Sequence, residues 1–151
     1  MYEPKRSIDK PFDVVGIGNA IVDVLVQVPE DFIETHKLNK GSMALVKEQQ
    51  AEALYLDSGN GLETSGGSAA NTLAGLALLG SNAGFIGRVK QDDLGEIFTR
   101  EIRSVGAHFN SPPAINGPST ARCIILVTPD AQRTMCTYLG VSNLLSRKDI
   151  D

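Results

Sequence analysis

The chain has 151 residues, with 14 basic and 18 acidic side chains, and so a formal net charge of −4. Its 42% hydrophobic and 21% charged residues are typical of a globular protein, and its length suits about one domain of roughly 100–200 residues. The negative charge argues against nucleic acid as a partner, because such binding needs a basic surface to neutralise phosphates. No apolar run approaches the roughly 18–20 residues of a membrane span, so no membrane partner is expected.

The N-terminus and the cysteines indicate a cytoplasmic protein. Residues 1–11 are mostly polar and contain two prolines, which predicts a flexible arm, and they lead into no hydrophobic signal core. Cys123 and Cys136 are too few for a disulfide framework, so we expect reduced thiols. His36 and His108 lack the spaced Cys, His, Asp or Glu partners of a metal site, and no metal site is predicted.

The first half of the chain mixes predicted strands and helices. Nearly continuous apolar residues predict a strand buried on both faces at Phe12–Gly18. A better alternating stretch predicts a second strand at Ile21–Val28, which Pro29 ends. The remaining predicted elements are a short helix from Glu30 to His36, a strand at Met43–Val46 and an amphipathic helix at Lys47–Leu56.

The second half of the chain continues this alternation. The predicted elements are a small-residue helix at Ala69–Leu79, a strand at Ala83–Gly87, a helix from about Asp92 to Val105 with Asp92 as its cap, and strands at Ala121–Thr128 and Gln132–Leu139. A tight Pro129-Asp130 turn joins the last two strands. A two-residue turn would place Cys123 and Cys136 face to face, and a longer loop would offset them. The alternation predicts an α/β layer structure with some parallel pairing.

The end of the chain resembles the beginning of a helix. Ser146 is a good helix cap, and Asp149 follows at the position of a capping-box acid. The sequence stops at Asp151, one turn later, and a helix that short is not stable alone. The pattern therefore predicts a sequence that has been cut.

Two consecutive glycines, Gly66 and Gly67, precede the small-residue helix. They leave backbone N–H groups free of side-chain bulk, so a ligand can approach the main chain closely. Ser68 keeps that approach open, and the Asn71 amide, one turn into the helix, can donate to and accept from vicinal hydroxyls. The alternative is a helix start whose small residues serve only close packing.

Asn19 and Asp23 form a second candidate binding pair. Asp23 stands among apolar residues of a predicted strand, where burial of an unpaired carboxylate would cost several kcal/mol. Asp23 therefore either faces solvent at a sheet edge or accepts hydrogen bonds from a specific partner such as sugar hydroxyls.

Arg133 follows the predicted Pro129-Asp130 turn. An arginine at a hairpin is usually a solvated cation. It gains a chemical role only where the hairpin overhangs a phosphate group, because a guanidinium suits the charge that develops there.

Together these segments resemble the ribokinase/PfkB carbohydrate kinase family, and most closely its adenosine-kinase-like members. The resemblance covers nearly the whole chain from Phe12 onward. The residues that carry it are Gly16-Ile17-Gly18-Asn19-Ala20-Ile21-Val22-Asp23, Gly66-Gly67-Ser68-Ala69-Ala70-Asn71, Gly80, Gly84, Gly87, Asp92-Asp93-Leu94-Gly95 and the hairpin Ile124–Thr137.

The resemblance implies part of a doubly wound ribokinase-like α/β core with a small β-sheet lid. Residues 12–151 would be the N-terminal, substrate-binding part, with lid strands at about 19–28, 43–46 and 121–139. Arg133 would help neutralise the transferring phosphate. The positions that would hold the ribose are Asn19, Asp23, Gly66, Gly67, Ser68 and Asn71.

The activity implied is ATP-dependent phosphorylation of a nucleoside or sugar hydroxymethyl group, with adenosine converted to AMP as the leading reaction. ATP and Mg²⁺ would bind mostly outside this chain, because the family's Gly-Ala-Gly-Asp motif and catalytic aspartate have no counterpart here. The chain alone is therefore expected to be inactive. The alternatives are a kinase for ribose, fructose or a keto-deoxy acid, and a non-catalytic ligand-binding fragment that forms a homodimer through its lid strands.

The residues that would contact a base distinguish a nucleoside kinase from a simple sugar kinase. A purine needs flat apolar walls, and the candidates in this sequence are Leu45, Cys123, Met135 and Thr137.

Overall fold

A computed structural model describes residues 11–150, so residues 1–10 of the predicted arm lie outside the described part of the chain. The elements in chain order are β1 (Val14–Ile17), β2 (Ile21–Gln27), α1 (Glu30–Thr35), β3 (Met43–Leu45), α2 (Glu48–Ser58), β4 (Leu62–Gly66), α3 (Ser68–Leu78), β5 (Ala83–Ile86), α4 (Asp93–Ser104), β6 (Ala121–Val127), β7 (Arg133–Tyr138) and two short 3-10 helices at Gly140–Leu144 and Arg147–Asp149.

The predicted elements are confirmed to within about two residues at their ends, but one strand was missed. β4 was read as part of the segment that leads into the small-residue helix. Its sequence, Leu-Glu-Thr-Ser-Gly, has no apolar run. β4 is an edge strand of the described sheet, paired only with β2, and most of its side chains are at least partly exposed. A strand of this kind is recognisable only from its partner.

The strands form two sheets with both kinds of pairing. β1 and β5 form a parallel pair, and the other five strands form a sheet in the order β3-β7-β6-β2-β4. In this larger sheet β3 runs parallel to β7 and β2 parallel to β6. The predicted lid strands therefore all lie in one sheet, with β4 as its fifth member.

One face of the five-stranded sheet packs on the core, and the other is open. Along β2, Val22, Val24 and Val26 are buried, while Leu25 on the opposite face is 40% exposed. This alternation follows from the two-residue period of a strand. We call the face that bears Asp23 and Leu25 the open face.

Three phenylalanines form the centre of the core. Phe85 of β5, Phe98 of α4 and Phe109 are each at most 2% exposed, and their ring centroids lie 5.3–5.8 Å apart. Such spacing is typical of aromatic pairs in protein cores. α3 packs on β1 and β5, and α4 packs beneath β2 and β4, so both sheets share this core.

β1 was expected to be buried on both faces, and this expectation is wrong. Val15 is 49% exposed and Ile17 is 54% exposed, whereas Gly16 lies so close to Leu73 of α3 that no side chain fits there. Among the described residues, a helix covers only the face of β1 that α3 contacts.

The β6–β7 hairpin has a longer loop than the predicted two-residue turn. Its loop is Pro129-Asp130-Ala131, and Ala131 adopts a left-handed φ of 64°. The odd loop length sets the register, so Cys123 faces Thr137, and Cys136 faces the neighbouring residue on β6. The two cysteines therefore lie on opposite faces of the sheet, and both are free thiols.

The predicted cap at Ser146 is confirmed. The Ser146 hydroxyl accepts from the Lys148 amide, and the Asp149 side chain accepts from the Ser146 amide. Arg88, which follows β5, pairs with Asp149 at 2.8 Å and ties this segment to the core. None of the helices within residues 11–150 combines the length and apolarity that crossing a bilayer would require.

Asp92 is the cap of α4 and also joins that helix to the start of β6. Its carboxylate accepts from the Gly95 amide and from both the amide and the hydroxyl of buried Thr120, at 2.6–2.9 Å. We expect Asp92→Ala to lower the free energy of unfolding by about 1–2 kcal/mol, the upper part of the range for a lost cap. Urea denaturation of the chain measures this.

The neighbouring Asp93→Ala is the matched control, because Asp93 is an exposed acid in the same first turn. A loss as large in Asp93→Ala as in Asp92→Ala would contradict the capping role.

Candidate functional site

Asp23 projects from the open face on β2, the strand next to the sheet edge formed by β4. It pairs with Cys123 of β6 on one side and with Thr64 of β4 on the other. Because paired residues point to the same face of a sheet, these three side chains form a row. The carboxylate is only partly exposed, so a polar ligand there would meet a charged oxygen in a largely apolar surface.

The Asp23 carboxylate packs directly on Gly66. A Cβ at position 66 would lie 2.3 Å from the carboxylate carbon, which is far inside any permitted contact. Gly66 is therefore required so that the Asp23 side chain can occupy this position. The contact exists because β4 runs antiparallel to β2 and brings Gly66 beside Ile21, two residues before Asp23.

Gly67 continues this contact into the helix. Its φ of 94° is one that residues with a side chain rarely adopt, and a Cβ there would lie 2.7 Å from the Asn19 carbonyl oxygen. Ser68 and Asn71 follow at the start of α3, where the backbone N–H of Asn71 donates to the Gly67 carbonyl oxygen at 2.9 Å. Both residues are exposed.

All six residues predicted to hold a sugar therefore meet at one corner of the molecule. Gly66 contacts Asp23, and Gly67 contacts the Asn19 backbone. The two remaining residues, Ser68 and Asn71, lie one and four positions after Gly67, which is at most about 6 Å along the helix axis. The binding role of these residues stays a prediction.

Burial raises the pKa of Asp23 above its usual value. No hydrogen bond from the described residues offsets this shift, since burial is its only cause. A partly desolvated carboxylate without a donor in the protein is an incomplete hydrogen-bonding group. Hydroxyls of a ligand would complete it.

The row that contains Asp23 runs across the whole sheet. From β3 to β4 its members are Leu45, Thr137, Cys123, Asp23 and Thr64. The Thr137 hydroxyl donates to the Cys123 sulfur at 3.2 Å, and burial raises the pKa of that thiol. Cys123 is therefore a neutral, largely buried group beside the carboxylate.

The next row of the open face is entirely apolar. Its members are Met43, Met135, Ile125, Leu25 and Leu62. Met43 is 59% exposed and Leu62 is 67% exposed at the two sheet edges. The candidate base contacts Leu45, Cys123, Met135 and Thr137 thus lie on the same face as Asp23, within two adjacent rows.

Arg133 lies on the same face, at the far end of the sheet. It is exposed at the start of β7, opposite Val127 of β6, and Val127 in turn pairs with Gln27 of β2. Four residues along a strand and two strand spacings separate its Cα from that of Asp23, which amounts to about 16 Å. The two side chains can thus reach toward one ligand from opposite ends.

A buried polar cluster on the other face of the sheet escaped the sequence analysis. Arg122 is 5% exposed, pairs with Glu52 of α2 and lies 5.4 Å from the centre of the Tyr55 ring. Tyr55 donates to Glu63 of β4, and this hydrogen bond raises the pKa of Tyr55 to about 12. The cluster holds α2 against the underside of β4 and β6. An arginine within a strand pattern does not by itself show which face it occupies.

The described residues offer no site for the Mg²⁺ ion that a kinase uses with ATP. No group of three or more His, Cys, Asp or Glu side chains in residues 11–150 is arranged to hold a metal ion. That ATP and Mg²⁺ bind mostly outside this chain stays a prediction.

The comparison with protein families identifies a match over residues 44–151 with the pfkB family carbohydrate kinase model. Among solved structures, the adenosine kinase from Sinorhizobium meliloti is 46% identical with a TM-score of 0.84, and the match covers 94% of this chain and 43% of that one. A probable sugar kinase from Rhizobium etli CFN 42 is 44% identical with the same TM-score, over 93% and 43% of the two chains.

Among curated proteins, the guanosine-inosine kinase of Escherichia coli K12 is 27% identical over 157 residues, which covers 99% of this chain and 36% of that protein. The chain therefore spans less than half the length of each of these relatives. The predicted fold class is confirmed, because the two TM-scores of 0.84 come from structures of the same mixed α/β type. The chain belongs to the PfkB family of carbohydrate kinases and contains part of their ribokinase-like fold.

Proposed function

We propose that this chain supplies the acceptor-binding part of an ATP-dependent kinase that phosphorylates the 5′-hydroxymethyl group of a nucleoside, adenosine first among them. The observation that carries the proposal is the Asp23 carboxylate. It is partly buried, has no hydrogen-bond donor among the described residues, and packs on Gly66 at the start of α3. A pair of vicinal hydroxyls supplies the donors that this group needs.

The open face favours a nucleoside over a free sugar. A pentose alone would use Asp23 and the α3 start, and would leave the apolar row of Met43, Met135, Ile125 and Leu25 uncovered. A purine ring attached to the ribose would bury part of that row, which stabilises binding by about 25 cal/mol for each Å² of apolar surface removed from water. The similarity to adenosine kinase and guanosine-inosine kinase is consistent with this choice.

Within this proposal Arg133 acts on the phosphate. Its guanidinium is exposed on the open face, and no carboxylate of the described residues pairs with it. A cation at that distance from the ribose-binding residues can stabilise charge on a phosphate near the 5′-oxygen. The binding sites for ATP and Mg²⁺, and the general base, would lie in a region that corresponds to the unmatched part of the longer relatives.

The first test measures substrate class. We expect the chain alone to bind adenosine more tightly than ribose or fructose in titration calorimetry, because only the nucleoside covers the apolar rows. We expect phosphorylation with ATP and Mg²⁺ once the chain is fused to the part of the S. meliloti adenosine kinase that follows the matched region. The unfused chain is the control and should give no product.

Tighter binding of ribose or fructose would establish the sugar kinase alternative. A folded fusion that neither binds nor phosphorylates any of these compounds would contradict the proposal and favour a non-catalytic fragment. Sedimentation at several concentrations then shows whether the exposed edge strands β3 and β4 pair two copies.

The second test separates the binding role of Asp23 from its effect on stability. The raised pKa means that protonated Asp23 favours the folded state. That contribution is complete below the usual carboxyl pKa and is lost as the pH rises through the raised value. At pH 7–8 we therefore expect Asp23→Asn to leave the ligand-free melting temperature unchanged or higher, while affinity for adenosine falls by roughly 1–3 kcal/mol.

Asn71→Ala should weaken binding in the same way, and the exposed Asp31→Asn is the matched control for both measurements. Unchanged affinity in Asp23→Asn would remove Asp23 from the site. A large fall in its ligand-free stability would show that the carboxylate serves the fold.

The third test addresses Arg133 in the active fusion. We expect Arg133→Ala to lower kcat at least about tenfold with little change in the KM for adenosine, as for loss of one charge-stabilising donor. Arg147→Ala, which removes an exposed arginine far along the chain, is the control. A raised KM with unchanged kcat would contradict a role on the transferring phosphate.

A further inference from the structure

The loop between α1 and β3 lies against the tip of the β6–β7 hairpin. Lys40 in this loop donates to the Asp130 carboxylate at the tip at 2.8 Å, and also to both carboxylate oxygens of Glu30, at 2.8 and 2.7 Å. One ammonium group therefore bridges the start of α1 and the hairpin. We call these three side chains the Lys40 bridge.

Asp130 in turn shapes the hairpin loop. Its other carboxylate oxygen accepts from the Thr128 hydroxyl at 2.7 Å and from the Gln132 amide at 3.3 Å. Between these residues Ala131 has a φ of 64°, a conformation that a residue with a Cβ adopts only when its surroundings impose it. The Asp130 contacts supply that constraint on both sides of Ala131.

Two further contacts hold the strand immediately after the tip. The Gly41 amide donates to the hydroxyl of buried Thr134 at 2.9 Å, and the Met135 amide donates to the Ser42 carbonyl at 2.9 Å. Arg133 lies between the two groups of contacts, three residues after Asp130 and one before Thr134. The α1–β3 loop therefore fixes the backbone on both sides of Arg133.

The Lys40 bridge places one ammonium group between two carboxylates. Lys40 and Thr128 lower the pKa of Asp130 to about 2, and Asp130 and Glu30 raise the pKa of Lys40, so Asp130 and Lys40 form a charged pair near neutral pH. Exposed ion pairs of this kind contribute little to global stability. Their consequence is local: with Lys40 engaged, Asp130 keeps its loop contacts and does not pair with the nearby Arg133.

We propose that Lys40 is a positioning residue, which fixes the hairpin tip through Asp130 and thereby holds Arg133 where the phosphate is transferred. The inference rests on the proposed function of Arg133 and extends it to a residue in a different part of the chain. Lys40 acts through Asp130 and the hairpin backbone and does not itself contact the substrate.

The decisive experiment is a double-mutant cycle in the active fusion. We expect Lys40→Met to lower kcat about threefold to tenfold with the KM for adenosine within twofold, and to have less than a twofold effect when Arg133 is already alanine. Lys40→Arg should keep most of the activity, because it retains donors for both carboxylates.

Lys37→Met is the matched control, since Lys37 is an exposed lysine just after α1 without an ion pair among the described residues. Equal losses in the presence and absence of Arg133 would overturn the inference and leave the proposed function standing.

A measurement on the unfused chain tests the same inference without catalysis. We expect Lys40→Met, but not Lys37→Met, to speed amide hydrogen exchange at Thr128, Ala131 and Met135, and to raise the pKa of Asp130 toward the usual carboxyl range. Unchanged exchange would show that the bridge does not order the hairpin, whatever the activity of the fusion. A fusion without kinase activity, combined with faster exchange, would instead refute the proposed function and leave only the ordering of the hairpin by Lys40.

Discussion

The contact between the Asp23 carboxylate and the bare Cα of Gly66 joins the two segments that carry the residues predicted to hold the sugar. It joins β2 to the edge strand β4, which leads into α3, and there is no space in it for a methyl group. The same strand continues through Gly67, whose positive φ turns the chain into the helix that carries Ser68 and Asn71. Gly66 and Gly67 therefore bring the start of α3 beside β2.

The two faces of the large sheet carry different kinds of polar group. Beneath the sheet, Arg122 is buried with Glu52 and Tyr55, and this pairing offsets the cost of removing a guanidinium from water. Above it, on the adjacent strand, Asp23 has no such partner, and burial raises the pKa of its carboxyl group. The sheet therefore carries a paired charge on its buried face, and on its open face a carboxylate with no donor among the described residues.

In the β6–β7 hairpin, Arg133 is exposed, but the backbone around it is fixed by hydrogen bonds. Arg133 is exposed at the start of β7, so its position depends on the backbone around it. That backbone is held by the α1–β3 loop through Lys40, Gly41 and Ser42. The ends of one binding surface are thus set in two ways, by close packing at Gly66 and by hydrogen bonds at the hairpin.

Elements with a strong local pattern could be predicted from the amino-acid sequence. The cap at Asp92 and the alternation along β2 depend on neighbouring residues, and they were predicted correctly for that reason. The glycine pair and Asp23 were recognised as unusual, because small residues before a helix and a charge within an apolar strand conflict with simple packing. The family followed from these motifs taken together.

The contacts between those residues depend on strand pairing, which a local pattern does not show. β4 has no apolar pattern, so its pairing with β2, and with it the contact of Gly66 and Asp23, depends on residues about 40 positions apart in the chain. The three-residue loop that contains Ala131 sets the register of β6 and β7, which pairs Cys123 with Thr137 and places Cys136 on the opposite face. Lys40 and Asp130 are ordinary surface charges in the sequence, and they acquire a shared role only because the fold brings their side chains together. Strand pairing and register are long-range properties, and a local pattern does not contain them.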